Sequence, residues 1–143
     1  MSLTSANSTI LLSIVPLFPV PSPLFGFAAD DVFDVDQVKR AETLMGVDGI
    51  LSGGFVWEEV KQTFTLQSDS PSCNIFDQWQ TAEELFQDVY SASATIILPG
   101  LLAQFSCING YLINASPMPS AKKLLQPRKF TIAWNSIIAS PTL

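Results

Sequence analysis

One stretch of the sequence, CNIFDQWQTAEELFQDVY at residues 73–90, repeats with the period of an α-helix in a chain otherwise patterned for strands. Its apolar residues recur at gaps of three and four, which gathers them on one side of a helix. Ser70-Pro71 suits the start, with serine as the cap and proline in the first turn. We therefore predict one amphipathic helix within residues 70–91. The residues expected to pack it onto a sheet are Ile75, Phe76, Trp79 and Phe86.

The rest of the chain alternates between apolar and polar residues with the period of two that is typical of half-buried strands. Asp48-Gly49 lies between apolar flanks and predicts a tight hairpin turn, because this pair tolerates positive φ angles. The apolar run at residues 10–15 predicts an edge strand, followed by a proline-rich connection. The expected class is therefore mainly β with one flanking α-helix (α+β). Strand patterns occupy residues 60–66, 95–98, 105–115 and 130–138, and in the last Phe130, Ile132, Trp134 and Ile138 are expected to share one face.

Charged side chains are scarce for a soluble chain. Hydrophobic residues make up 48% and charged residues 14%, against roughly 25% charged residues in a typical domain. Soluble monomers seldom expose large contiguous apolar patches, so part of the surface is predicted to be buried against other chains. A length of 143 residues is that of one domain, and we expect a single domain over residues 1–143.

The charges are sorted along the chain. All 13 acidic residues fall between Asp30 and Asp88, and a late group is basic. Head-to-tail stacking needs two complementary surfaces, to which opposite charge gives register. The net charge of −6 argues against affinity for nucleic acid. The candidate inter-subunit basic residues are Lys122, Lys123, Arg128 and Lys129.

Common enzyme chemistry is mostly excluded. The chain has no histidine, so Ser/His/Asp and Cys/His systems and histidine metal sites cannot be built. The aspartates at 30, 31, 34 and 36 could pair as acid and base, or could bind Ca²⁺. The calcium loop is excluded, because the glycine and the distal glutamate that it requires do not follow at the needed places. Cys73 and Cys107 are expected to be reduced, buried thiols. We predict no catalytic residues, cofactor or metal, and the apolar run at 10–15 is too short for membrane insertion.

Three segments carry a resemblance to a known family: MGVDGILSGGF at 45–55, TLQSDSPS at 65–72 and PMPSAKKLLQPRKFTI at 117–132. In pattern and order, residues 24–138 resemble tail tube proteins of contractile-tailed phages. The resemblance implies an antiparallel β-sandwich or barrel whose sheets join those of five other copies in a ring. Rings would stack head to tail into a tube, and DNA would pass through it during ejection without specific binding.

The resemblance also implies partners and residue roles. The expected partners are copies of the chain itself and the sheath, tape measure and baseplate proteins. The place would be the tail of the virion, after assembly in the bacterial host cytoplasm. Asp34 and Asp36 alternate on one strand face and become candidate acidic residues of the lumen, where they would repel phosphates.

Residues 1–23, a strand plus a proline-rich segment, match the family least, which leaves a tube-initiating or baseplate ring open. Two readings from other classes also stay open. One is a small β-barrel module that binds an apolar or sugar ligand, using Trp57, Trp79 or Trp134. The other is a glycosidase-like enzyme with paired carboxylates.

Overall fold

The computed structural model describes residues 8–15, 17–27 and 32–141. Seven strands form one antiparallel sheet in the order β2-β1-β7-β8-β9-β6-β3, and β4 and β5 form a separate two-stranded sheet. The prediction of a mainly β, antiparallel fold with one helix is confirmed, while the described residues form no closed barrel. The elements are β1 (Thr9–Ile14), β2 (Phe18–Pro23), β3 (Phe33–Val35), β4 (Ala41–Met45), β5 (Leu51–Phe55), β6 (Val60–Leu66), α1 (Cys73–Phe86), β7 (Ala92–Leu98), β8 (Ala103–Ala115) and β9 (Arg128–Pro141).

The core lies on one face of the seven-stranded sheet. The pairing register aligns buried side chains from strand to strand, for example Leu12 opposite Ala94 and Ala94 opposite Cys107. Further along the sheet, Phe130 of β9 lies opposite Phe64 of β6. Since neighbouring strands present paired residues on the same side, these rows form one continuous apolar surface. The helix covers this surface.

The helix is fixed by two aromatic side chains. Phe76 and Trp79 are both 0% exposed. Phe76 stacks on Phe130 of β9 with ring centroids 4.3 Å apart, and Ile75 packs at the margin of the core. Phe86, predicted to pack as well, is 67% exposed. It occupies the last helical turn, immediately before Gln87 ends the helix in the left-handed conformation, and the sheet does not cover it there.

The serines before the helix bind another segment of the chain as well as the helix backbone. The helix begins at Cys73, and Ser72 before it makes no side-chain capping bond. Instead, the backbone N–H of Phe25 donates to Ser72 Oγ at 2.7 Å, while Ser70 Oγ donates to the carbonyl of Phe25. The two serines therefore fasten the segment after β2 to the start of the helix. Ser70 Oγ also accepts a hydrogen bond from the backbone N–H of Ser72 at 3.2 Å, which is the type of bond expected of the predicted serine cap. Within the described residues, no helix has the length and hydropathy required to cross a membrane.

The N-terminal strands are placed differently from the prediction. β1 lies inside the sheet between β2 and β7, and the proline-rich stretch, expected to be a connection, is itself the edge strand β2. Leu24 N donates to Ile10 O at 2.9 Å, so the alternation of the strand turns the backbone of Pro21 and Pro23 away from β1. Prolines are tolerated at an edge because no ladder hydrogen bond is needed there. Pro16 lies outside the described residues.

β9 changes face part-way along its length. Phe130, Ile132 and Trp134 point into the core as predicted, but Ile138 is 53% exposed and Ile137 packs against the core instead. The change occurs opposite Asn109 of β8, whose φ is +50°. Asparagine is enriched in this left-handed conformation. A residue in that conformation disturbs the alternation of side chains along β8, and the paired part of β9 changes face with it.

A buried polar group joins β6, β8 and β9. Gln62 is 1% exposed, and its Oε1 accepts a hydrogen bond from Trp134 Nε1 at 3.0 Å and a long one from Cys107 Sγ at 3.8 Å. Both cysteines are free and buried, as predicted. Burial raises the pKa of the Cys107 thiol to about 12. By contrast, the buried Nε1 of Trp79 has no hydrogen-bond partner among the described residues.

This contrast gives a matched pair of substitutions. We expect Trp134→Phe to lower the free energy of unfolding by about 1–2 kcal/mol more than Trp79→Phe. Both changes remove the same atoms from a buried site, but only the first leaves a buried acceptor, Gln62 Oε1, without its indole donor. Urea denaturation followed by circular dichroism measures the difference. Equal losses in the two variants would contradict it.

Candidate functional site

The two predicted lumen residues lie at the β3 edge of the main sheet. Asp34 is exposed in β3 opposite Thr63, and Asp36 is exposed just after the strand. The backbone N–H of Asp36 donates to the carbonyl of Lys61 at 3.0 Å, which fixes this end of the segment. In the part of the chain that the structure describes, no three acidic, cysteine or histidine side chains are close enough to hold a metal ion. The aspartates at 30 and 31 lie outside that part.

Two of the predicted basic residues occupy the tip of an exposed turn. Ala121 and Leu125 form an isolated β-bridge, and Lys122 N donates to the carbonyl of Leu124 at 3.2 Å inside it. Lys122 and Lys123 are therefore presented to solvent by a closed backbone turn. Lys129 is also exposed, at the start of β9. This arrangement leaves three ammonium groups free to meet another molecule.

Arg128, predicted as a fourth member of this group, is not on the surface. It is 5% exposed, and its Nη2 and Nη1 donate to the two carboxylate oxygens of Asp77 at 2.7 and 3.2 Å. Nη2 also donates to the carbonyl of Ser116 at 2.8 Å. The hydrogen bonds to Asp77 raise the pKa of the guanidinium above its ordinary value. Arg128 thus joins the helix to β9 within one chain, which corrects the inter-subunit assignment.

The most exposed element is the hairpin formed by β4 and β5. Every residue of both strands is exposed. The strands pair from Ala41 opposite Phe55 to Met45 opposite Leu51. The turn was predicted at Asp48-Gly49 and is confirmed there. Gly49 has φ +81°, and Asp48 Oδ1 accepts a hydrogen bond from Ile50 N at 3.1 Å.

This hairpin is also strongly apolar. A two-stranded hairpin alone is marginally stable in water, and exposed apolar patches of this kind mark interaction surfaces. No signal in the sequence showed that the hairpin would leave the main sheet, since its residues have the same alternation as buried strands. The large apolar side chains exposed on the hairpin and just after it are Leu44, Met45, Val47, Ile50, Leu51, Phe55 and Trp57.

A cavity of about 700 Å³ opens where the hairpin leaves the main sheet. Its floor consists of apolar side chains from three neighbouring strands, Ile96 of β7, Phe105 of β8 and Ile137 of β9. The base of the hairpin adds Phe55 and Trp57, whose rings meet edge to face with centroids 5.0 Å apart. The charged lining residues, all exposed, are Asp36, Lys39, Arg40 and Glu58. Trp79 and Trp134 do not line this cavity.

Comparison with known proteins places these features in a wider context. The model of a family described as tail fiber protein gp32 matches residues 2–138. No curated protein matches the sequence. The fold is similar to a chain of the anti-feeding prophage baseplate, with TM-score 0.62, 7% identity, and coverage of 99% of this chain and 97% of that one.

Two further solved structures share the fold. A chain of the cap that terminates the anti-feeding prophage tube has TM-score 0.60 and 10% identity, with 99% of this chain and 93% of that one covered. A chain of the sheath–tube complex of the extracellular contractile injection system PVC, in its extended state, has TM-score 0.57 and 13% identity, with coverage of 93% and 88%. At such identities the similarity is one of fold.

Proposed function

Since the chain belongs to the tail fiber protein gp32 family, we propose that it is a structural subunit of a phage tail that acts by assembling with copies of itself. The copies form rings of six, and the rings stack head to tail into a tube that conducts DNA during ejection. The observation that carries this proposal is the β4–β5 hairpin, an apolar element exposed along its whole length. A monomer gains nothing from such an element, whereas an assembly buries it.

Family membership confirms the expectation of a phage tail protein, and the tube itself is our proposal. It is supported by fold relatives in a baseplate, a tube-terminating cap and a sheath–tube complex. A tube-initiating or baseplate ring is the alternative within the same class, because chains with this fold occur in a baseplate and in a cap as well as in a sheath–tube complex. The proposed partners are accordingly sheath, tape measure and baseplate proteins, the proposed place is the virion, and the proposed role is not enzymatic.

The proline edge limits how neighbouring sheets can join. β2 carries Pro19, Pro21 and Pro23, and proline supplies no N–H to a ladder. We propose that joining uses the free edges of β3 or of the hairpin, and not β2. Asp34 and Asp36 lie next to the β3 edge and are exposed, so they remain our candidates for a lumen surface that repels DNA phosphates.

Electron microscopy of the purified protein across a concentration series, paired with light scattering for mass, tests the assembly. We expect rings or tubes with sixfold symmetry and an open channel, growing in number with concentration. Tubes of many rings would support the repeating subunit, and rings that stop at one layer would support the initiating role. A monodisperse monomer at every concentration, with and without a tail nucleus, would contradict the proposal.

The lysine turn supplies a second test. We expect Lys122→Glu with Lys123→Glu to raise the concentration required for assembly about fivefold or more, because each lost or reversed ion pair at a rim is worth about 1 kcal/mol. Sedimentation of assembled material measures this concentration. The control is Lys122→Arg with Lys123→Arg, which keeps both charges. An unchanged assembly concentration in the glutamate variant would contradict a role for the turn.

The cavity favours a second candidate function, a small ligand-binding module. Its volume of about 700 Å³ falls within the roughly 300–1,000 Å³ typical of ligand sites, and Trp57 contributes an aromatic wall. This function predicts a stable monomer whose thermal unfolding temperature rises with an apolar ligand. An assembling chain with no such rise would exclude it.

A further inference from the structure

We propose that the tip of the β4–β5 hairpin of one copy inserts into the cavity at the hairpin base of the next copy, where Asp48 of the tip pairs with Arg40 at the cavity rim. This inference rests on the proposed self-assembly and specifies the contact between copies. It joins two features that the fold leaves without a counterpart in the described residues, an apolar projection and an apolar hole.

The tip of the hairpin presents two exposed aliphatic side chains on an ordered turn. Val47 is 110% exposed and Ile50 is 63% exposed, one on each side of the Asp48-Gly49 turn. The turn is held by hydrogen bonds from Gly46 N to Ile50 O at 2.9 Å and from Gly49 N to Gly46 O at 3.0 Å. Because the backbone is already ordered, insertion costs little additional conformational entropy.

The cavity has the matching chemistry. Its floor of Ile96, Phe105 and Ile137 is aliphatic and aromatic, and its volume of about 700 Å³ leaves room for the two aliphatic side chains of the tip. Burial of these side chains removes apolar surface from water on both partners. The contact therefore has a hydrophobic centre, as expected of a stable interface.

A copy cannot fill its own cavity. The base of the hairpin is fixed where Val56 N donates to the carbonyl of Arg40 at 3.1 Å, and the five paired positions from Ala41 to Met45 separate the base from the tip. At about 3.3 Å per residue the tip lies roughly 16 Å away. The two matching surfaces thus lie at opposite ends of one element. Their contact is head to tail and repeats from copy to copy.

Charge selects Arg40 as the partner of Asp48. At the rim, Lys39 already pairs with Glu42 at 2.7 Å, whereas Arg40 has no ion-pair partner among the residues that the structure describes. The rim also carries the acidic Asp36 and Glu58, which disfavour an anionic tip anywhere except beside the guanidinium. Asp48 Oδ1 accepts the hydrogen bond of the turn, and an N–H of the guanidinium can donate a charge-assisted hydrogen bond to the other oxygen.

Disulfide trapping between two variants that each add one cysteine to the buried Cys73 and Cys107 tests the contact directly. Val47→Cys places a thiol on the tip, and Leu98→Cys places one in the cavity lining. Mixed and oxidised during assembly, the two variants should give a cross-linked dimer that neither gives alone, because a disulfide requires Cα atoms within about 7 Å. Lys122→Cys replaces Val47→Cys as the exposed control and should give none.

Charge exchange adds a second measurement. We expect Arg40→Asp or Asp48→Arg alone to raise the concentration required for assembly, and the double variant to lower it again. Asp48→Asn keeps the Oδ1 acceptor of the turn and removes only the charge, so it separates pairing from turn stability. Val47→Asp should raise the required concentration at least ~10-fold, because it places a charge where an apolar side chain would be buried.

The outcomes separate this contact from the assembly itself. A 47–98 cross-link in assembled material, together with the loss caused by Val47→Asp, supports the insertion. Normal assembly of the wild type and of Val47→Asp without the cross-link overturns the insertion and leaves the proposed function standing. A wild-type chain that stays monomeric under every condition overturns the assembly, and with it the contact.

Discussion

Replacing Asp77 with alanine lowers the free energy of unfolding by about 2 kcal/mol, since it leaves the guanidinium of Arg128 buried without its carboxylate. The Arg128 side chain is 6% exposed, and the pair is bidentate. Loss of one partner from a fully buried pair costs about 3–5 kcal/mol. The Asp77 side chain is 45% exposed, so water partly replaces it, and the expected loss is smaller for that reason.

Urea denaturation at neutral pH measures this loss. The control is Glu84→Ala, which removes an exposed carboxylate from the same helix, and for Glu84 no salt bridge occurs among the described residues. A double variant with Arg128→Met should recover part of the loss, because the unpaired charge is then gone. If Asp77→Ala and Glu84→Ala lose the same free energy, the pair does not hold the helix to β9.

Gly110→Ala is expected to destabilise the fold by about 2–3 kcal/mol through overpacking. Gly110 lies opposite Trp134 in the β8–β9 ladder. A Cβ at this position would lie 2.5 Å from Trp134 Cζ3, closer still to Cε3, and 2.9 Å from Ile132 Cγ2. Trp134 cannot move away without breaking its bond to Gln62 at 3.0 Å. The clash therefore disturbs both the packing and the buried polar group.

The chain provides a matched control for this substitution. Gly54 also lies in a strand, and a Cβ there would have no heavy atom within 4 Å. Gly54→Ala should change stability by less than about 0.5 kcal/mol, because only backbone entropy is affected. Tryptophan fluorescence should shift in Gly110→Ala and stay unchanged in Gly54→Ala. Equal stability of the two variants would show that the core accommodates a methyl group beside Trp134.

Local patterns predicted much of this fold. The period of three to four placed Phe76 and Trp79 on the buried face of the helix, and the period of two identified β6 and most of β9. Both patterns work because the solvent and the core lie on opposite sides of one element. They fail at element ends, which is why Phe86 was expected to pack, and at bulges, where Asn109 reverses the face of Ile138.

Contacts between distant segments were not predictable in the same way. The pairing of Asp77 with Arg128 joins residues 51 positions apart, and nothing in either local pattern favours it over a surface location. The cavity is lined by several separate segments, so no single motif indicates it. The hairpin turn was readable from Asp48-Gly49, whereas the separation of β4 and β5 from the main sheet depends on tertiary packing.

The proline edge has a consequence for the life of the unassembled chain. Along its free side, β2 offers carbonyl groups but no N–H donors at Pro21 and Pro23. Another extended polypeptide therefore cannot form a regular ladder of backbone hydrogen bonds with it. A copy that is not yet assembled is therefore protected along this edge against extension by further strands. Strand addition is then confined to the β3 edge and the hairpin, the two edges through which we propose that copies join.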